Sequence, residues 1–174
     1  MGIRVFIADD HPMTRAGLLA TLEREQDFEI VGSASDGTQA WQAMLEKVPD
    51  VALVDIRMPG EDGVSLVRRV KDSGLPIRSL MLTSYDAQQY VMASLRAGAK
   101  GYILKTASPE ELARAIRTVA RGGVYLDAEV SRVVGGQEVV PEELSNRERE
   151  VLILTSKGLS SKETAGKLFI SERT

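Results

Sequence analysis

The chain has no cysteine and one histidine in 174 residues. The missing thiols exclude disulfides, thiolate-bound metals and a cysteine nucleophile, so any metal must be held by oxygen or by the one imidazole, His11. A hard cation such as Mg²⁺ is the favoured candidate. Long uncharged runs are missing too. No stretch approaches the roughly 18 apolar residues of a membrane span, and the opening "MGIRVFIADD" reaches acidic residues too early for a secretory signal. A cytosolic chain with no membrane partner is expected. There is no internal repeat and no low-complexity tract. No glycine-rich loop follows the first apolar run. A nucleotide or flavin binder would lack its phosphate cradle here, and the "ADDHP" that stands in its place repels phosphate unless a metal intervenes.

What is present is a 43% hydrophobic composition with few aromatics, enough for one α/β domain of ordinary size and something smaller. The net charge of −3 gives no global attraction for nucleic acid, but it is unevenly spread. Residues 1–122 carry 15 basic against 16 acidic groups, residues 123–144 carry 1 against 5, and residues 145–174 carry 6 against 4. A mixed-charge body, an acidic connector and a slightly basic tail are implied.

Short β-rich runs alternate with helix-period segments through the first two thirds: "IRVFIA" with "PMTRAGLLATLERE", "FEIVGSA" with "GTQAWQAMLEKV", "VALVD" with "GVSLVRRVKDS", "IRSLMLTS" with "AQQYVMASLRAG", and "GYILK" with "SPEELARAIRTVARGG". Five strand-helix units imply a parallel sheet covered on both faces, since parallel strands need crossover connections. The strands lack strict polar alternation, which fits burial on both sides. Pro12 suits a first helical turn, Ser108-Pro109-Glu110-Glu111 an N-cap with acidic followers, and Gly98 and Gly122-Gly123 helix ends. From Gly123 to Leu144 the chain reads as a connector with one short helix around Asp127 to Val134. Beyond it, Ser145 with Glu148 forms a capping box for a helix to Lys157, and a second helix follows from about Ser161 to Phe169.

In an open parallel sheet the ligand crevice lies beyond the C-terminal strand ends, at the switch point of strand order. The residues at those ends are Asp9 and Asp10, then Asp55, then Thr83 and Ser84, then Lys105. Taken singly, each has an ordinary role: a turn-forming or capping Asp, a strand Thr, a solvated Lys. Together they make an acidic pocket, because three clustered carboxylates repel and require a cation or raised pKa values. Mg²⁺ commonly takes one or two carboxylates together with phosphate oxygens. A phosphoryl group held there would have its charge met by Lys105 and Thr83, and Asp55, at the centre, is placed to act as a nucleophile forming an acyl phosphate. His11 suits a helix start beside this pocket better than a phosphohistidine relay.

"IADDHP", "VDIRMPGEDG", "LTSYD" and "GYILK" resemble, in wording and spacing, the receiver domain of bacterial two-component response regulators. The resemblance covers Met1 to about Arg121. It implies a flavodoxin-like doubly wound five-stranded parallel sheet of order 2-1-3-4-5, phosphorylated on aspartate by a sensor histidine kinase. By position, Asp55 is then the phosphoacceptor, and Asp10, Asp55 and the Arg57 carbonyl bind Mg²⁺ with Asp9 assisting through water. Thr83 and Lys105 hold the phosphoryl group. Tyr102 matches the switch aromatic, whose ring would turn into space vacated when Thr83 is drawn toward the phosphoryl group. Arg57 and Tyr85 flank the site.

The tail "LSNREREVLILTSKGLSSKETAGKLFISERT" resembles the opening of the LuxR-type helix-turn-helix domain of the NarL class. This implies a receiver over residues 1–121, a linker over 122–144 and the first part of a DNA-binding module over 145–174. The recognition helix would follow "SERT", outside these residues. Arg149, Lys157, Lys162, Lys167 and Arg173 suit either phosphate contacts, which give position without sequence specificity, or a solvated face, and with no helix to read base edges these residues are expected to bind DNA weakly or not at all. Exposed apolar side chains such as Leu152, Leu168 and Phe169 would leave the tail helices mobile, docked on the receiver or driving association. The reading is a non-enzymatic phosphorylation switch on a transcription factor that dimerises and binds promoter DNA. Its rival is a Mg²⁺-dependent aspartyl-phosphate phosphatase on a similar sheet. Such enzymes generally need a second aspartate two residues after the nucleophile, where this chain has Arg57.

Overall fold

The computed structural model describes residues 2–84, 90–128 and 130–131. Strands β1 (Ile3–Ala8), β2 (Phe28–Ala34), β3 (Val51–Asp55), β4 (Arg78–Thr83) and β5 (Gly101–Leu104) alternate with helices α1 (Pro12–Leu22), α2 (Gly37–Lys47), α3 (Gly63–Asp72), α4 (Val91–Ala97) and α5 (Pro109–Ala120). A two-residue strand β6 (Tyr125–Leu126) follows. The sheet order is β2-β1-β3-β4-β5-β6, and the first five strands pair with one another in parallel. The expected five strands stand in the expected order. The sixth is a correction: it falls where the sequence suggested a connector, and the Tyr125 amide donates to the Lys100 carbonyl at 3.1 Å. In the same region Ala128, Val130 and Ser131 are helical, and the remainder of the short helix expected around 127–134 lies outside the described residues.

Local chemistry explains the elements. All five residues of β3, "VALVD", are buried, as a central strand covered on both faces requires. In α3 the buried set Leu66, Val67 and Val70 lies on one stripe and Arg68, Arg69 and Lys71 lie off it, the spacing of an amphipathic helix. The Asp62 carboxylate caps that helix by accepting from the Ser65 amide at 2.9 Å, and Asp36 does the same for α2 through Gln39 at 2.8 Å. The anticipated cap of α5 is a full reciprocal box. Ser108 Oγ accepts from the Glu111 amide at 3.2 Å, and Glu111 Oε2 accepts from the Ser108 amide at 3.1 Å, a device whose loss costs about 1 kcal/mol. Helix α4 stops at Gly98, whose φ of +111° is left-handed backbone that a side chain resists.

Helices α1 and α5 cover one face. Leu22, Leu112, Ile116 and Val119 pack there with Val5, Ile7, Leu53, Leu80, Leu82 and Ile103 of the strands. Helices α2, α3 and α4 contact one another in series and bury Trp41, Met44, Leu66, Val70 and Val91. Each fully buried side chain of this kind contributes about 1.5–3 kcal/mol. Residues 1–125 form one compact unit and residues 126–174 a second.

Candidate functional site

Register puts the strand ends side by side. Ala8 pairs with Val54, Asp55 with Leu82 and Thr83 with Leu104. The residue after β1, the last of β3, the last of β4 and the first after β5 therefore share one edge, next to the β1/β3 boundary where strand order reverses. Asp9 is fully buried, and Asp55 is 5% exposed. The Lys105 ammonium bridges them, donating to Asp55 Oδ2 at 2.7 Å and standing 2.8 Å from Asp9 Oδ2. Oxygens of Asp9, Asp10 and Asp55 and a nitrogen of His11 all lie within 4.8 Å of one another.

Three acidic groups cluster here, and two of them share one lysine. Asp9 Oδ1 is occupied, accepting from the His11 amide at 2.8 Å. Asp9 Oδ2 and Asp10 Oδ1 are buried and accept no hydrogen bond; the Lys105 contact to Asp9 is an ion pair without hydrogen-bond alignment. Burial pushes the Asp55 carboxyl above its ordinary range. Lys105 opposes this, and the Asp9 and Asp10 charges add to it. Burial would lower Lys105, but its hydrogen bond to Asp55 and its ion pair with Asp9 prevail and hold it above the usual lysine value. Crowded carboxylates with buried oxygens that accept no hydrogen bond are what a divalent cation relieves, and the all-oxygen character of the carboxylates suits Mg²⁺.

The comparisons with known proteins agree with this arrangement. Residues 5–117 match the response regulator receiver domain, and residues 142–174 match the luxR family of bacterial regulatory proteins. The chain is a LuxR-family response regulator. It is 40% identical to the oxygen regulatory protein NreC of Staphylococcus aureus, with 99% of this chain and 85% of that protein aligned. Among solved structures it resembles the response regulator ChrA of a heme-sensing two-component system at 40% identity, covering 98% of this chain and 83% of that one with a TM-score of 0.68. It also resembles RcsB, solved as two dimers bound to two parallel DNAs, at 28% identity, 99% and 86% coverage and a TM-score of 0.72.

In this response regulator Thr83 and Tyr102 form a second, fully buried group. The Tyr102 hydroxyl donates to Thr83 Oγ1 at 3.3 Å, and Thr83 Oγ1 donates to the Ser84 carbonyl at 2.9 Å. Burial pushes the Tyr102 phenol up to about 12. The ring that the sequence reading expected to swing inward already lies inside, on the Thr83 hydroxyl. Arg57 lies exposed in the loop after β3. Tyr85, all of the tail cations Arg149, Lys157, Lys162, Lys167 and Arg173, and the two tail helices lie outside the described residues.

Two supports were not legible beforehand. Arg15 Nη1 donates to the Asp9 carbonyl at 2.7 Å, pinning the β1–α1 turn; its only signal is a position one helical turn into α1. The second is the Ser84 carbonyl, which accepts the Thr83 proton through backbone, a group no sequence distinguishes. No helix among the described residues is long and apolar enough to cross a membrane.

Proposed function

We propose that this response regulator accepts a phosphoryl group on Asp55 from the phosphohistidine of a sensor histidine kinase. The transfer uses Mg²⁺ held in the Asp9, Asp10 and Asp55 pocket and controls dimerisation and promoter binding. The observation that carries the reading is the crowding of the Asp9, Asp10 and Asp55 carboxylates, two of whose buried oxygens accept no hydrogen bond, around a phosphoacceptor already bonded to Lys105. Asp10, Asp55 and the Arg57 carbonyl would hold the cation, with Asp9 acting through water. When bound, it offsets carboxylate charge and gathers phosphoryl oxygens toward Asp55.

The chain's own groups do the rest. An Asp55 oxygen attacks phosphorus, and its O–P bond forms as the donor P–N bond breaks. The electron pair stays on the departing imidazole. Lys105, already 2.7 Å from Asp55 Oδ2, meets the charge that builds on the phosphoryl oxygens. Thr83 must give up its bond to the Ser84 carbonyl to donate to the phosphoryl group, and Tyr102, which donates to that same hydroxyl, follows it. A local charge is thereby converted into a displacement next to α4.

The reading divides the chain into a receiver over residues 1–121, a linker over 122–144 and a DNA-binding part over 145–174. Lys162, Lys167 and Arg173 touch phosphates there. The protein is a phosphoacceptor rather than a turnover enzyme, since Arg57 occupies the place where a hydrolase of this design keeps its acid/base aspartate. Incubation with Mg²⁺ and acetyl phosphate tests this. About one label per chain, abolished by a chelator, is expected for a single nucleophile. Continuous release of phosphate over many turnovers would favour the phosphatase, and no label with Mg²⁺ present would reject the proposal.

A further inference from the structure

We infer that His11 is a nitrogen donor to the same pocket, which makes the site a receptor for borderline divalent cations of the Mn²⁺, Co²⁺ and Zn²⁺ class as well as for Mg²⁺. This rests on the cation site proposed above and extends it to a residue outside the carboxylate set.

The donor atoms stand close together, all within 4.8 Å of one another. His11 Nδ1 stands 2.7 Å from Asp10 Oδ1, 3.5 Å from Asp9 Oδ1 and 3.7 Å from Asp55 Oδ2. With metal–ligand bonds of about 2.0–2.2 Å, two ligands of one ion stand roughly 3 Å apart at right angles and roughly 4 Å apart when opposite. The observed separations fall in that range, apart from a slightly shorter one to Asp10. That shortest contact has the distance of an ion pair, though it lacks the alignment of a hydrogen bond. A cation bound between this ring nitrogen and carboxylate oxygen would take the place of the proton that pairs them in its absence.

The imidazole is also held in place. His11 occupies the N-cap of α1 in extended backbone, its amide donates to the buried Asp9, and Pro12 follows it and restricts that backbone. The ring is 63% exposed, so a cation and its waters can exchange at the mouth. Mg²⁺ prefers oxygen and keeps its waters, whereas imidazole nitrogen raises affinity along the series from Mn²⁺ toward Cu²⁺ and for Zn²⁺. His11 would therefore act on selectivity. The competing role, in which the ring merely orients Asp10, would affect every cation alike.

Because the chain has a single histidine, the test is unambiguous. Mn²⁺ alone is added to the full chain, and pulsed electron paramagnetic resonance reads any nitrogen coupled to the ion. In parallel, Zn²⁺ and Mg²⁺ are titrated separately at one fixed pH into wild type and His11→Ala. The inference requires an imidazole nitrogen coupling in wild type that is absent in the variant, and a fall in the Zn²⁺-to-Mg²⁺ affinity ratio on the order of tenfold. Bound Mn²⁺ without nitrogen coupling, or equal losses for both cations, would overturn it while leaving the Mg²⁺ site standing. Failure of every cation to bind would overturn the pocket reading and this extension together.

Discussion

Asp55 concentrates the energetic tension of the receiver. Its carboxyl is held above the ordinary value of 3.8 by burial, with Lys105 only partly offsetting this. A group whose folded pKa is raised contributes stability in its protonated form. That contribution is complete below 3.8 and is lost as pH rises through the folded value. Asp55→Asn should therefore melt higher than wild type in chelated, metal-free solution near neutrality, with the gap closing as pH falls through the carboxylate range. Differential scanning calorimetry across that range checks this, and a constant gap would contradict it. Added Mg²⁺ should narrow the gap by stabilising wild type through binding. At this scale the sequence was informative where function sits at the end of an apolar run, as at Asp55, Thr83 and Lys105. It was silent on Arg15, whose guanidinium reaches back six positions to the Asp9 carbonyl, because only the turn of the chain makes them neighbours.

Elements position these groups through close backbone contact. Helix α3 starts at Gly63, whose amide donates to the Ile56 carbonyl at 2.9 Å. A Cβ at Gly63 would overlap the Asp55 carbonyl oxygen, which is backbone and cannot step aside. Gly63→Ala should cost about 1–3 kcal/mol in chemical denaturation, as overpacking does, and should weaken Mg²⁺ binding by displacing the strand end that carries Asp55. Wild-type stability in this variant would show that the helix start floats free of the site. The helix boundaries marked by Pro12, Ser108 and Gly98 were readable because capping and punctuation are local chemistry. Strand β6 was not, since "VYL" after the glycine pair is too short to show a period and gains its place only by pairing beside β5.

For the whole molecule, alternation of strand and helix patterns was enough to imply a covered parallel sheet, and the family resemblance supplied its order. The match to the luxR family over residues 142–174 joins this receiver to a DNA-binding module. If phosphorylation controls assembly, fluoroberyllate with Mg²⁺ should shift the sedimentation of the full chain toward a dimer. Asp55→Asn should not respond, and identical sedimentation with and without fluoroberyllate would leave the control of assembly unsupported. The measurement that bears most directly on the central claim is the identity of the modified side chain. After acetyl phosphate and Mg²⁺, borohydride reduction of the acyl phosphate followed by peptide mass analysis should find Asp55 converted to homoserine, and Asp9 and Asp10 unchanged. Reduction at either of those instead, or at no aspartate while phosphate is taken up, would contradict the account.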